Sequence, residues 1–238
     1  MCFSAEASFG LSAALLPAGV YCVRCALVKN RDLLCLAVIP LIFGAQQFLE
    51  GLVWMGIGRA DGQLTRAASL VYLAFALAFW PFWIPFSAFL LEAPGKRKWL
   101  FGFVAALGLL GGLILYLPLA WDPALLTPTP HHHAIHYEME RSPPLRWMSF
   151  ATWQGLYMIV VALPPLLSPS RGFFLFGVAI VLSSAASHVF YGNASPSVWC
   201  FFAAVLSAFL CFSFRAMPAP SDASGSVEPP RSKKIPEA

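Results

Sequence analysis

The segment FGAQQFLEGLVWMG (residues 43–56) sets two glutamines and a glutamate inside an apolar run. Gln46, Glu50 and Trp54 are spaced i, i+4, i+8, so a helix would put them on one face, with Gln47 beside Glu50 at i−3. Glutamine amides can donate to a carboxylate, and an indole near a helix end can anchor at a membrane interface. Such a set could surround a cation, a proton or a small polar ligand. Glu50, Gln46, Gln47 and Trp54 are therefore candidate ligand-binding residues.

Other residues suit different chemistry. Ser184 and His188 are also i, i+4, a spacing that allows a nucleophile and its base, but no third residue to orient the pair is evident. His188 suits a metal ligand, a proton acceptor or a structural histidine. HHHAIHY supplies His131, His132, His133 and His136. Histidines three or four apart on a helix bind zinc or copper, whereas the preceding TPTP argues for an extended, solvated loop. Six cysteines are present. Cys22, Cys25, Cys35 and Cys211 read as reduced thiols, since Cys22-x-x-Cys25 lacks the second pair of a zinc ribbon. Cys2 and Cys200 could form a disulfide, ligate a metal or stay free. Loss of Met1 would leave an amine beside the Cys2 thiol, which is a chelating pair. His188, Cys2 and His136 are the candidate metal ligands, with zinc or copper as the cofactor their donors suit.

These residues must be positioned by elements that lie in lipid. The chain of 238 residues is 59% hydrophobic and 11% charged, with mean hydropathy +0.72. A soluble domain carries about 25% charged residues. Fifteen basic and eleven acidic side chains cannot cover a globular surface, so the partner is the lipid bilayer. The net charge of +4 is spread over short loops and gives no nucleic-acid signal. A spanning helix needs roughly 20 apolar residues. Seven stretches qualify: 5–27, 33–57, 68–92, 98–120, 148–168, 172–191 and 196–215. Residues 216–238, rich in Pro, Ser and charge, read as a disordered cytoplasmic tail. The first basic residue is Arg24, after the first span, so the opening segment reads as a retained helix rather than a cleaved leader.

The basic residues orient the spans. Eleven of the fifteen fall on one side: Arg24, Lys29, Arg31, Lys96, Arg97, Lys98, Arg171, Arg215, Arg231, Lys233 and Lys234. Arg59, Arg66, Arg141 and Arg146 fall on the other. This bias places the N-terminus outside and the C-terminus in the cytoplasm. Glu50 then lies seven residues before the outer end of its span, roughly 10 Å in. Glu6, with Ser4 and Ser8, opens the first span. Thr152, Gln154 and Tyr157 come early in the fifth, Ser183, Ser184, Ser187 and His188 end the sixth, and Ser197 and Cys200 begin the seventh. The inner halves hold aromatics instead, including Phe75, Phe79, Trp80 and Trp83. Polar groups confined to one leaflet suggest a cavity open to the outside, and Glu6 and Gln154 join the ligand-binding candidates.

The opening MCFSAEASF (1–9), FGAQQFLEGLVW (43–54) and SVWCFFAAVLS (197–207) resemble a family of uncharacterised bacterial integral membrane proteins beginning MCFSA-x-ASF. The likeness spans residues 1–215 and implies that Cys2, Ser4, Glu50, Gly51, Trp199 and Cys200 belong to the family pattern; it implies no chemistry. A comparison with seven-helix membrane hydrolases of the alkaline ceramidase type meets a last span without histidine. Retinal proteins share the helix count but need a lysine that this span lacks.

The expected fold is all-α, a polytopic seven-helix transmembrane bundle over 1–215 in the cell (inner) membrane. The expected function is ligand or ion binding, sensing or transport through an outward-opening polar cavity. A metal-dependent membrane enzyme and a structural subunit of a membrane complex are the alternatives.

Overall fold

The computed structural model describes residues 4–131, 134–139, 142–191 and the positions 202, 204, 207, 210, 211 and 212. The expected tail, Cys2 and Cys200 lie outside the described residues, as does most of the expected seventh span. The six described positions between 202 and 212 are helical.

Local chemistry sets the element ends. Helix α1 (Ala5–Lys29) is capped by Ser4, whose Oγ accepts from the Ala7 amide at 3.2 Å. Asn30 ends it and starts a short 3-10 turn by accepting from the Asp32 amide at 3.0 Å. The chain then runs through α2 (Leu34–Ala37) into α3 (Ile39–Gly58). Ala60 takes a positive φ of 54° in the turn that follows. Asp61 accepts from the Leu64 amide at 2.9 Å and starts α4 (Gly62–Leu73). This helix begins six residues before the expected third span, so Arg66 is helical rather than in a loop, and its guanidinium donates to the Leu119 carbonyl at 3.4 Å.

Helix α4 runs through a π-helical turn (Ala74–Phe79) into α5 (Trp80–Leu91). Pro81 explains the irregularity: it has no N–H for the Leu77 carbonyl four residues back, and its ring crowds that carbonyl. Helix α6 (Lys96–Trp121) lies against this turn and α5. Gly108 and Gly112 face the Pro81 and Leu77 carbonyls so closely that no side chain fits between. This is the small-residue spacing that lets membrane helices approach. Helices α7 (Phe150–Leu166) and α8 (Arg171–Tyr191) form an antiparallel pair, α7 packing on α5 and α6.

Among the described residues, four helical stretches are long and apolar enough to cross a membrane: Ala5–Lys29, Arg31–Gly58, Gly62–Leu91 and Lys96–Trp121. They coincide with the first four expected spans. Ala151–Leu166 and Arg171–Ser187 are apolar but shorter.

Two expectations are corrected. The segment expected as a solvated loop contains an antiparallel hairpin, β1 (Thr127–His131) and β2 (Ala134–Glu138), so the fold is not purely helical. Prolines are tolerated in β1 because Pro128 and Pro130 alternate with Thr127, Thr129 and His131, leaving the ladder amides to the latter. The hairpin is partly buried: Ala134, Ile135 and Tyr137 are enclosed and β1 packs on α4, while Thr127, Pro130 and Glu138 are exposed. Second, Cys22 and Cys211 are not separate reduced thiols. They form a disulfide between α1 and the helical position 211, with Cα atoms 5.5 Å apart. Their 189-residue separation hides this pairing from any local reading. Cys25 and Cys35 are free thiols.

Candidate polar site within the helix bundle

Helix α3 carries the centre of the site. Gln46, Gln47 and Glu50 are each 0% exposed. The Gln47 amide donates to the Glu50 carboxylate at 3.3 Å. Gln46 serves differently from the expected arrangement: its side-chain oxygen accepts from the Trp80 indole at 2.6 Å. Trp80 is held in place by stacking on Phe43, with ring centroids 4.0 Å apart. One glutamine therefore faces the carboxylate, and the other pins α3 to the start of α5.

Two helices flank α3 at this level, and their glycine contacts fix the registers. Helix α1 runs antiparallel to α3: Leu16 meets Gly44, and Phe9 meets Gly51. Stepping along that register puts Ser12 beside residue 48 and Ser8 beside Leu52, which brackets Glu50. Helix α4 folds back along α3 from the contact of Thr65 with Gly56. Ser69 then stands level with Leu52, and Tyr72 level with Leu49. Ser8, Ser12, Ser69 and Tyr72 are all buried.

Polar atoms in this layer are incompletely matched. Ser8 Oγ, Gln47 Oε1, Trp54 Nε1 and Ser69 Oγ are buried without a hydrogen-bond partner. Each such group costs about 1–3 kcal/mol when left unmade. Buried polar side chains are paired in the large majority of cases, so four on three adjoining helices form a departure that calls for an explanation. The hairpin covers this end of the bundle, where Tyr137 stacks on Tyr72 at 5.3 Å.

The remaining expected residues are dispersed. Glu6 lies at the same end of the bundle but is exposed on α1. Gln154 sits on α7, which packs on α5, α6 and α8 rather than in the α1–α3–α4 layer. His136 is half-buried on β2 and pairs in register with Thr129, whose hydroxyl donates to the His136 carbonyl at 3.5 Å. His188 lies in α8, but its side chain is outside the described set, as are Cys2 and Cys200. Among the described residues, no three His, Cys, Asp or Glu side chains gather as a metal site.

Residues that the sequence reading passed over were partly legible. Ser69 and Tyr72 are polar groups at i, i+3 within an apolar helix. Ile135, Tyr137 and Met139 alternate at strand spacing, and Gly108-x-x-x-Gly112 is a helix-packing pattern. Trp80 had no local sign of its bond to Gln46, because the two are 34 residues apart.

No curated protein and no solved structure matches the chain. Residues 1–225 match DUF6629, a family of unknown function. The match covers nearly all of the sequence, including every element of the Glu50 layer, and the chain belongs to that family.

Proposed function

We propose that this is a multi-pass membrane protein whose buried polar layer around Glu50 is a binding site, serving ion or ligand binding, sensing or transport, with access from the outer face. The observation that carries the reading is the set of unmatched polar atoms on Ser8, Gln47, Trp54 and Ser69 around a buried carboxylate. A carboxylate enclosed between apolar helices is costly and is usually kept for a function.

Helix α6 supports the membrane placement. Trp99 and Trp121 are 75% and 92% exposed at its two ends. Their 22-residue separation spans roughly 33 Å, close to the ~30 Å hydrocarbon thickness. Between them Phe103, Leu107, Leu110, Ile114 and Leu117 form an exposed apolar stripe suited to lipid. Trp147, 91% exposed, stands near the hairpin end as a second interfacial anchor. In the proposed topology, α7, α8 and residues 196–215 complete seven crossings. The N-terminus is outside, and the basic end with Lys96, Arg97, Lys98 and Arg171 is cytoplasmic. At 17 residues, about 25 Å, α7 is near the lower limit for a span.

Because Gln46, Gln47 and Glu50 are fully enclosed, access requires movement at the hairpin end, where Tyr137 covers Tyr72. Cysteine substitution tests the direction of access. In a chain with its native cysteines replaced, Ser8→Cys and Ser69→Cys should react with a membrane-impermeant thiol reagent added from the outside of sealed cells, while Leu15→Cys should not. Reaction from the cytoplasmic side alone, or none from either side, would refute outward access.

A further inference from the structure

We propose that Cys22, Cys25 and Cys211 form a thiol–disulfide exchange site, in which Cys25 is the thiol through which a dithiol reductant reaches the Cys22–Cys211 bond. The site lies toward the basic end of α1 and does not involve the Glu50 layer. In the proposed topology this end faces the cytoplasm, where dithiol reductants act.

The three sulfurs differ in access and in what holds them. Cys22 is 0% exposed and is bonded to Cys211. Cys25 is a free thiol and only half-buried. Both stand on α1, three residues apart. The radius and rise of an α-helix put Cα atoms at that spacing about 5 Å apart. Disulfides take Cα separations of about 4.4–6.8 Å, so Cys22 can pair with Cys25 as well as with Cys211. The Cβ atoms start about 5–6 Å apart and must close by about 1–2 Å. Cys25 is four residues from Lys29, the last residue of α1, and helix ends fray enough to allow that closure. Cys35, the other free thiol among the described residues, stands apart from this pair. It is buried on α2, and its S–H donates to the Asp32 carbonyl at 3.6 Å.

The exchange step is balanced without an oxidant. Cys25 gives up its proton, and its thiolate attacks the Cys22 sulfur. The Cys25–Cys22 bond forms as the Cys22–Cys211 bond breaks, and the Cys211 sulfur leaves with the electron pair. It takes up a proton and becomes the free thiol. Cys211 Sγ lies 3.6 Å from the Ala18 carbonyl oxygen, an acceptor for the new S–H. A dithiol then works from the accessible side. Its first thiolate attacks the Cys25 sulfur and expels Cys22. Its second thiolate attacks the dithiol sulfur of that mixed disulfide and expels Cys25. Two electrons pass to the protein, and the dithiol leaves as a disulfide. Burial closes the direct route to Cys22. The outcome is release of position 211 from α1 and loss of a link between residues 189 apart. A closure of that length restricts the unfolded chain, so its loss lowers the stability of the fold.

The full-length protein in nanodiscs provides the test. Trypsin cuts after Arg24, so Cys22 and Cys25 fall in separate peptides, and a bond between them is read as a linked pair. In Cys211→Ser, mild oxidation with diamide should link the Cys22 and Cys25 peptides, and adding Cys35→Ser should not change this. In the parent, dithiothreitol should remove the Cys22–Cys211 link, followed by alkylation and mass mapping. Cys25→Ser should slow that loss at least several-fold, whereas Cys35→Ser should leave it unchanged. Cys25→Ala should slow it equally, which separates loss of the thiol from any effect of a half-buried hydroxyl. Absence of the Cys22–Cys25 pair in oxidised Cys211→Ser would overturn the proposal. Equal reduction rates for the parent and both Cys25 variants would also overturn it, by showing that the dithiol attacks Cys211 directly.

Discussion

The contact of α6 with the π-helical turn offers a sharp test of how the bundle is held together. A Cβ placed on Gly112 would lie 2.6 Å from the Ala78 Cα and would overlap the Leu77 carbonyl. Ordinary carbon contacts sit at about 3.5–4.0 Å. Both partners are backbone, so no side chain can swing away. Gly112→Ala must therefore push α6 from the turn by about 1 Å, and a gap of that size forfeits a quarter to a half of each dispersion contact along the seam. Overpacking of this kind costs about 1–3 kcal/mol, and the rigidity of both sides argues for the upper half, about 2–3 kcal/mol. For a chain of this size that is a fall in Tm of about 4–12 °C. Gly111 is the internal control. One residue away on the same helix, its added Cβ would meet only the Trp153 ring edge, at 3.9 Å. Gly111→Ala should be neutral or slightly stabilising, because alanine is the better helix former. Thermal unfolding of the two variants side by side, in one detergent, checks this. Equal Tm values would refute the argument that backbone approach at Gly112 holds α6 to the turn.

Other outcomes follow from the same geometry. Trp80→Phe keeps the stacking on Phe43 but removes the N–H that Gln46 accepts; it should cost about 1–3 kcal/mol, read by thermal unfolding beside a control at the exposed Trp99, Trp99→Phe. Tyr137→Ala should loosen the hairpin through loss of the Tyr72 stack, worth about 0.5–1.5 kcal/mol beyond area burial. Faster amide exchange over 126–139, with α6 unchanged, is the expected signature. Protein prepared without reductant should give a linked Cys22–Cys211 peptide on mass mapping, while Cys25 alkylates; full alkylation of Cys22 and Cys211 would contradict the pairing.

The apolar helices were legible because their signal is local. Hydropathy over about 20 residues outlines α1, α3, α5 and α6 wherever lipid or core requires it. The same measure missed the first turns of α4. Gln63 and Arg66 lower the window average there, yet Asp61 caps the helix and Arg66 reaches the Leu119 carbonyl. The hairpin was hidden by its prolines, which read as a loop unless their alternation is matched to the ladder.

The amino-acid sequence by itself determined that the chain has stretches long and apolar enough to cross a membrane, that a carboxylate sits among apolar residues, and that Gln47 lies within one helical turn of it. Those properties depend on composition and on spacings of three or four residues. Only the tertiary structure decided that Gln46 turns to Trp80, that Ser8 and Ser69 are buried on two other helices near the level of Glu50, that Glu6 and Gln154 lie apart from this layer, and that Cys22 meets Cys211. The reason is one of range. Helix periodicity fixes neighbours on one element, whereas the register between elements is set by where glycines permit close approach and where prolines distort the backbone, and no single segment contains that information.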